Sequence, residues 1–302
     1  DVPADERLTE EEKQTFEDLY FTTDSTNGEL WVEAAKKGIP KQKIDGLKLQ
    51  GKLAYLTQDN AILTHHLQSY IGSLENLSHL AKGRLYESAS WQRLIRWLVR
   101  DKGIGLESFI PAGYLGDTVD ERLGSYAADL ASKVRSSFPT DVVSSYIARG
   151  NEPGGLNLGS DHAKLQPVLC TFLDKAAQLD FRLGTMHVEA FVEKHEAALF
   201  KGIDAGSHGV IVDTVKRLHR LRQVAPNDQA MVALNRLGFA SAQEIASIPQ
   251  QTFIAQFGRE FNLQGLASSR QWALEIHDKA QQIRAITLSM ATTMASLESS
   301  PG

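Results

Sequence analysis

The sequence predicts an all-α chain, a multi-helix array that closes on a helix-hairpin-helix-like module and a long terminal helix. Three observations carry this. Apolar residues recur at three- and four-residue spacing along most of the chain, and Ser/Thr-x-x-Glu helix starts recur between them. No run alternates apolar and polar residues for long enough to build a sheet.

The first helix opens on a capping box, Thr9-Glu10-Glu11-Glu12, in which hydroxyl and carboxylate satisfy the free amides of a helix start. It runs to about Tyr20. A short helix around Trp31–Lys37 ends at Gly38, and Pro40 begins the next. From Pro40 to Gly83 dense apolar residues, among them Ile44, Leu53, Leu63, Leu67 and Leu80, predict three packed helices with breaks near Asp59 and Gly72. Trp91, Leu94, Ile95 and Leu98 share one helix face as a core stripe, terminated by Gly103.

A second capping box, Thr118-Val119-Asp120-Glu121, starts a helix carrying Leu123, Tyr126, Leu130 and Val134. Pro139 stops it, and Thr140 is expected to cap a helix with Val142, Val143, Tyr146 and Ile147 on its apolar side. The segment from Arg149 to Asp161, with Gly150, Pro153, Gly154, Gly155 and Gly159, is the clearest break in the chain. Helices near His162–Leu179 and Val188–Phe200 follow, separated by Asp180–Gly184, the only candidate for extended structure. A second glycine-containing break spans Gly202–Gly209. These breaks divide the chain into an N-terminal helical region, 1–150, a loop-rich connecting region, 151–208, and a C-terminal module, 209–302.

The C-terminal module begins with Ile211, Val215 and Leu218 on one helix face and turns at Pro226-Asn227-Asp228. Met231–Gly258 reads as helix, Gly238-Phe239 turn, a capped helix from Ser241 to Ile248, Pro249, and a helix to Phe257 stopped by Gly258. Leu234, Leu237, Phe239, Ile245, Ile248, Phe253 and Phe257 would form its core. Trp272, Ile276, Ala280, Ile283, Thr287, Met290, Met294 and Leu297 then give a helix-packing seam.

Bulk composition narrows the function. The chain has 302 residues, 42% hydrophobic and 23% charged, which suits an ordinary globular protein of one large or two to three smaller helical units. A net charge of -5 offers no global attraction to phosphate or anionic lipid, so nucleic acid is a disfavoured partner without a local basic patch. No apolar run reaches the roughly 18 residues of a membrane span, and the acidic start from Asp1 to Glu6 is unlike a signal peptide. The single cysteine, Cys170, cannot form an internal disulfide and reads as a buried, inert thiol. The missing initiator Met and the polar tail Ser299-Ser300-Pro301-Gly302 read as the ends of a segment cut from a longer chain.

Candidate chemistry is sparse. The nine histidines lack ligand spacing: His65 and His66 point to different sides of a helix, and His187 and His195 lie two turns apart. An enzyme reading would have to assemble distant groups such as His162, His187 and Glu189. The glycine-rich segment lacks both the Gly-Lys-Ser/Thr ending of a P-loop and the spacing of a dinucleotide fold. Carboxylate pairs such as Glu193/Glu196 and Asp117/Asp120 read as solvated or first-turn charges. No catalytic residue, metal ligand or cofactor site is assigned.

Two features stand out as interaction candidates. One is the basic run 216–222, with Lys216, Arg217, Arg220 and Arg222 as a stripe that could meet phosphate, an acidic partner or only solvent. The other is the Gly238-Phe239 hairpin, because helix-hairpin-helix modules use hairpin amides to hold a nucleic-acid backbone. With one glycine and a bulky Phe, the hairpin reads better as a packing unit.

The block Leu218–Pro226, followed by Ala230–Gly258 and by Ile276–Gln282, resembles the N-terminal helical region of Tc insecticidal toxin A subunits, also called virulence plasmid A proteins. Leu49–Thr57, Tyr126–Leu130 running to Phe138–Val143, and Leu179–His187 look similar too, in the same order. The resemblance spans about Lys41 to Leu288. It implies a structural and interaction segment of a very large bacterial protein, set in the helical shell around a translocation channel and exported or surface-associated. Its implied partners are the remainder of the same chain, neighbouring protomers and other toxin-complex subunits, with no membrane insertion by this segment. A nucleic-acid-binding helical protein is the alternative.

Overall fold

The computed structural model describes residues 8–23, 28–152, 154–262 and 269–298. The acidic start, the Ser299–Gly302 tail and Pro153 lie outside them, and the side chains of His162, Met294 and Leu297 are likewise not described. Among the described residues there is no strand, so the all-α expectation holds. The chain forms two compact units, 1–137 and 138–302, and so divides before the glycine-rich segment rather than at it.

In the first unit, α1 (Glu10–Thr22) and α2 (Glu29–Lys36) pack together, and α2 rests on α3 (Lys41–Thr57). The predicted capping box at Thr9 forms, with Glu12 N–H on the Thr9 hydroxyl and the Glu12 carboxylate on Thr9 N–H. Leu19, Leu30, Ala34, Ile39 and Ile44 make a small core here, flanked by Leu8, Phe16 and Trp31.

Beyond α4 (Ala61–Ile71), a 3₁₀ turn at Leu74–Asn76 and α5 (His79–Lys82) lead into α6 (Ser88–Lys102). After α7 (Leu106–Phe109), α8 (Val119–Ser137) closes the unit by packing on α6 and α3. Burial follows the predicted stripes: Trp91, Ile95, Leu98, Leu123, Tyr126, Leu130 and Val134 are all covered. Leu94 is only half-buried.

The α3–α4 corner is fastened by polar groups. Gln58 and Asp59 turn the backbone through positive φ. The Tyr126 hydroxyl donates to Thr57 O at 2.7 Å, the Thr57 and Thr64 hydroxyls meet at 2.7 Å, and Lys133 Nζ reaches the carbonyls of Tyr55 and Leu56. The Tyr126 and Lys133 bonds satisfy carbonyls that a helix C-terminus leaves open. Burial pushes the Tyr126 phenol above its ordinary range, so it stays a neutral donor.

The second unit contains α9 (Pro139–Arg149), α10 (His162–Gln178), α11 (Val188–Leu199), α12 (His208–Val224), α13 (Asp228–Arg236), α14 (Ala242–Ser247), α15 (Gln250–Asn262) and α16 (Ser269–Glu298). α9 lies on α10, α12 touches α10, α11, α13, α14 and α16, and α14 and α15 both pack on α16.

Several expectations need correction. Thr140 does not cap α9: Pro139 takes the first helical position, and the buried Thr140 hydroxyl donates to Phe181 O and accepts from Leu183 N–H. Asp180–Gly184, expected as extended, is a turn that this clip holds to α9. Gly258 does not stop its helix, since α15 continues to Asn262; a glycine inside a helix costs only about 1 kcal/mol. In the terminal seam, Ile276 and Ala280 are buried while Thr287 and Met290 are exposed.

Candidate interaction surfaces

The basic run on α12 is not a stripe. Successive helical residues turn by about 100°, so Lys216, Arg217, Arg220 and Arg222 meet different neighbours. Lys216 Nζ pairs with Glu189 at 2.5 Å, and that bond holds the Glu189 carboxyl below its ordinary pKa. Arg220 Nε donates to Ala240 O at 3.2 Å. Arg222 is ion-paired to Asp228, whose side chain is only 2% exposed. Arg217 Nε is buried without an acceptor among the described residues, and burial lowers its pKa. Three of the four charges are therefore engaged inside the unit.

The same helix organises the turn after α10. His219 Nδ1 accepts the Gly184 N–H at 3.0 Å, and burial lowers the His219 pKa, keeping the ring neutral and able to accept.

The hairpin after α13 is a packing unit. Gly238 supplies φ +82°, and Phe239 turns inward against Phe253 with ring centroids 5.7 Å apart. Its amides are already engaged: Gly238 N–H donates to Asn235 O, Phe239 N–H to Leu234 O, and Ala240 N–H to Glu244 Oε2. A phosphate at Gly238–Ala240 would have to displace these bonds. Leu234, Ile245, Phe253 and Phe257 form the expected small core, with Leu237 and Ile248 half-buried at its edge.

The glycine-rich segment is tied down in the same way. Asn235 Nδ2 donates to Asn157 O, Arg236 Nη2 to Gly155 O, and Leu156 N–H to Tyr146 O. It is a buttress of α13.

Of the three groups that an enzyme reading would assemble, the His162 side chain lies outside the described residues. His187 Nδ1 caps α11 through Ala190 N–H and lies 3.5 Å from Glu189, but both side chains are largely exposed and Glu189 is held by Lys216. Among the described residues no group of three His, Cys, Asp or Glu is placed to hold a metal ion. The Cys170 thiol is half-buried rather than fully buried, donates to Ser144 O, and has its pKa raised by burial. No helix among the described residues is long and apolar enough to cross a membrane.

Two of the exposed surfaces stand out. The first is the distal part of α16, where every residue over 284–293 is exposed. From Ala285 to Thr293 this stretch carries no charge, and Ile286, Leu288 and Met290 stand in solvent. The second is the outer face of α6, which the sequence reading passed over in favour of the core stripe on the opposite side. Arg93, Arg96, Trp97 and Arg100 are all exposed there, and their spacing of i, i+3, i+4 and i+7 was the available signal. The Trp97 ring rests against His66 of α4 at 5.5 Å, with Tyr70 one turn along.

Compared with known protein families, curated proteins and solved structures, the chain has no significant match in any of the three.

Proposed function

We propose that the chain is a structural and interaction segment of a large Tc-like toxin A subunit, contributing to the helical shell around a translocation channel. It acts by packing helices against the rest of its own chain and against neighbouring protomers, within an exported or surface-associated bacterial complex. The observation that carries this reading is the distal part of α16. Residues 285–293 have no charge to favour water, and three large apolar side chains there are more than half exposed. Such a surface is characteristic of a buried contact in a larger assembly. The resemblance of the ordered helical blocks supplies the kind of assembly.

Hydrogen exchange tests the reading. Amides over 284–293 should exchange rapidly in the 302-residue chain and become strongly protected in the parent protein that the reading requires. Equal, rapid exchange in both would sink it. A reading frame without β-rich domains around the segment would do the same.

A further inference from the structure

α1 and α6, both in the first unit, present exposed faces of opposite charge, and each carries an exposed aromatic side chain. On α6 the face is Arg93, Arg96, Trp97 and Arg100, with Trp97 52% exposed. Arg96 meets Asp120 at 3.0 Å across a solvent-exposed pair, and Arg93 donates to the Ser90 hydroxyl. The Arg100 side chain has no ion-pair or hydrogen-bond partner among the described residues. The nearest acid on this helix, Asp101, is paired with Lys102.

On α1 the exposed residues include Glu10, Glu11, Gln14, Glu17, Asp18 and Phe21. Lys13 pairs with Glu10, and Gln14 donates to Asp18, while Glu11 and Glu17 have no ion pair among the described residues. Phe21 is 84% exposed, with the Tyr20 ring edge-on to it at 5.8 Å. Large exposed aromatics beside Arg are the residue types that dominate protein interfaces.

The spacings match as well as the signs. Arg93 and Arg100 are seven residues apart, two helical turns or about 10 Å. Glu10 and Glu17, and equally Glu11 and Asp18, are seven residues apart on α1. Two helices laid side by side can therefore pair both arginines with carboxylates while the aromatics meet between and beside them.

We infer that the α6 face docks the α1 face of a second copy of this chain, in a head-to-tail contact. Such a contact uses two different surfaces of each copy, so it closes into a ring or continues as a chain. Two short helix faces bury less than about 1,200 Å², so the contact is weak and salt-sensitive in isolation. A compact basic face of two turns suits a helix better than a nucleic-acid strand, which needs a longer charged track. The inference deepens the interaction reading above and rests on it only in that the chain works through protein contacts. It concerns residues remote in sequence from 284–293.

Sedimentation velocity on the full chain tests it with a charge swap. At low salt and concentrations of several hundred micromolar, the wild-type sedimentation coefficient should rise with concentration, and the rise should vanish in high salt. Arg93→Glu/Arg100→Glu on α6 should weaken association about tenfold or more, and so should Glu17→Arg/Asp18→Arg on α1. Mixing the two variants should restore it, because each then supplies the complement of the other. Trp97→Ala, which leaves the charges in place, should also weaken it. A wild-type chain that stays monomeric throughout overturns the inference, including one that stays monomeric but binds a labelled single-stranded oligonucleotide through this face. Association that both charge variants retain also overturns it, and would leave the reading built on α16 standing.

Discussion

α6 and α12 are both arginine-rich, and they use their charge in opposite ways. On α12 the basic residues follow one another closely in sequence, so they fan around the helix and are taken up by a carboxylate on α11, a buried carboxylate on α13 and a hairpin carbonyl. On α6 they are spaced by three and four, stay on one face and point into solvent. Contiguous charge on a helix thus does not make one charged face, whereas charge at three- and four-residue spacing opposite a buried stripe does.

The same chemical change at the two helices separates these roles most widely. Asp228→Asn removes the charge facing Arg222 in a buried pair and should destabilise the second unit by about 3 kcal/mol, the low end for such losses because Arg222 is not fully covered. Asp120→Asn removes the partner of Arg96 in an exposed pair and should cost less than about 1 kcal/mol. Urea unfolding of both variants measures the contrast. Equal losses would mean that the α6 charges are as structural as those of α12.

A smaller effect concerns His219. Replacing it with Ala leaves the Gly184 N–H without its acceptor, at a cost of about 1–2 kcal/mol. The pH dependence has a definite sign. Burial lowers the folded-state pKa of His219, so the unfolded chain binds the extra proton first. The contribution of the neutral ring is complete above the unfolded pKa, about 6.5, and is lost as pH falls through the lowered folded value. His66, half-buried against Trp97, has a lowered pKa for the same reason and adds a loss of the same sign in the first unit. Unfolding midpoints across this range should decline toward acid in wild type and decline less in His219→Ala; an unchanged slope would remove His219 from the account.

Most of the helical pattern was legible in the sequence because burial imposes a 3.6-residue period, and Trp91, Ile95 and Leu98 or Leu123, Tyr126 and Leu130 have few other ways to be covered. The caps at Thr9 and Thr118 were legible because they are local in sequence. Thr140 was not, because its hydroxyl is claimed by a turn that sequence places far away. The fate of Arg222 depended in the same way on how α13 folds back. Periodicity also cannot say whether a seam has a partner: Ile276 and Met290 belong to one seam on α16, yet only Ile276 is covered.

The smallest expected effect is also the sharpest test of how α6 differs from α12. The Arg100 side chain has no ion-pair or hydrogen-bond partner among the described residues and is exposed, so Arg100→Ala should change stability by less than about 0.5 kcal/mol. Arg100 lies in the last turn of α6, where a cation interacts favourably with the helix dipole, so any loss should be a few tenths of a kcal/mol and screened by salt. Urea unfolding at low and high salt isolates that part. A salt-insensitive loss above about 1 kcal/mol would place Arg100 among the structural cations, and the outer face of α6 would then be holding its own unit together, as α12 does.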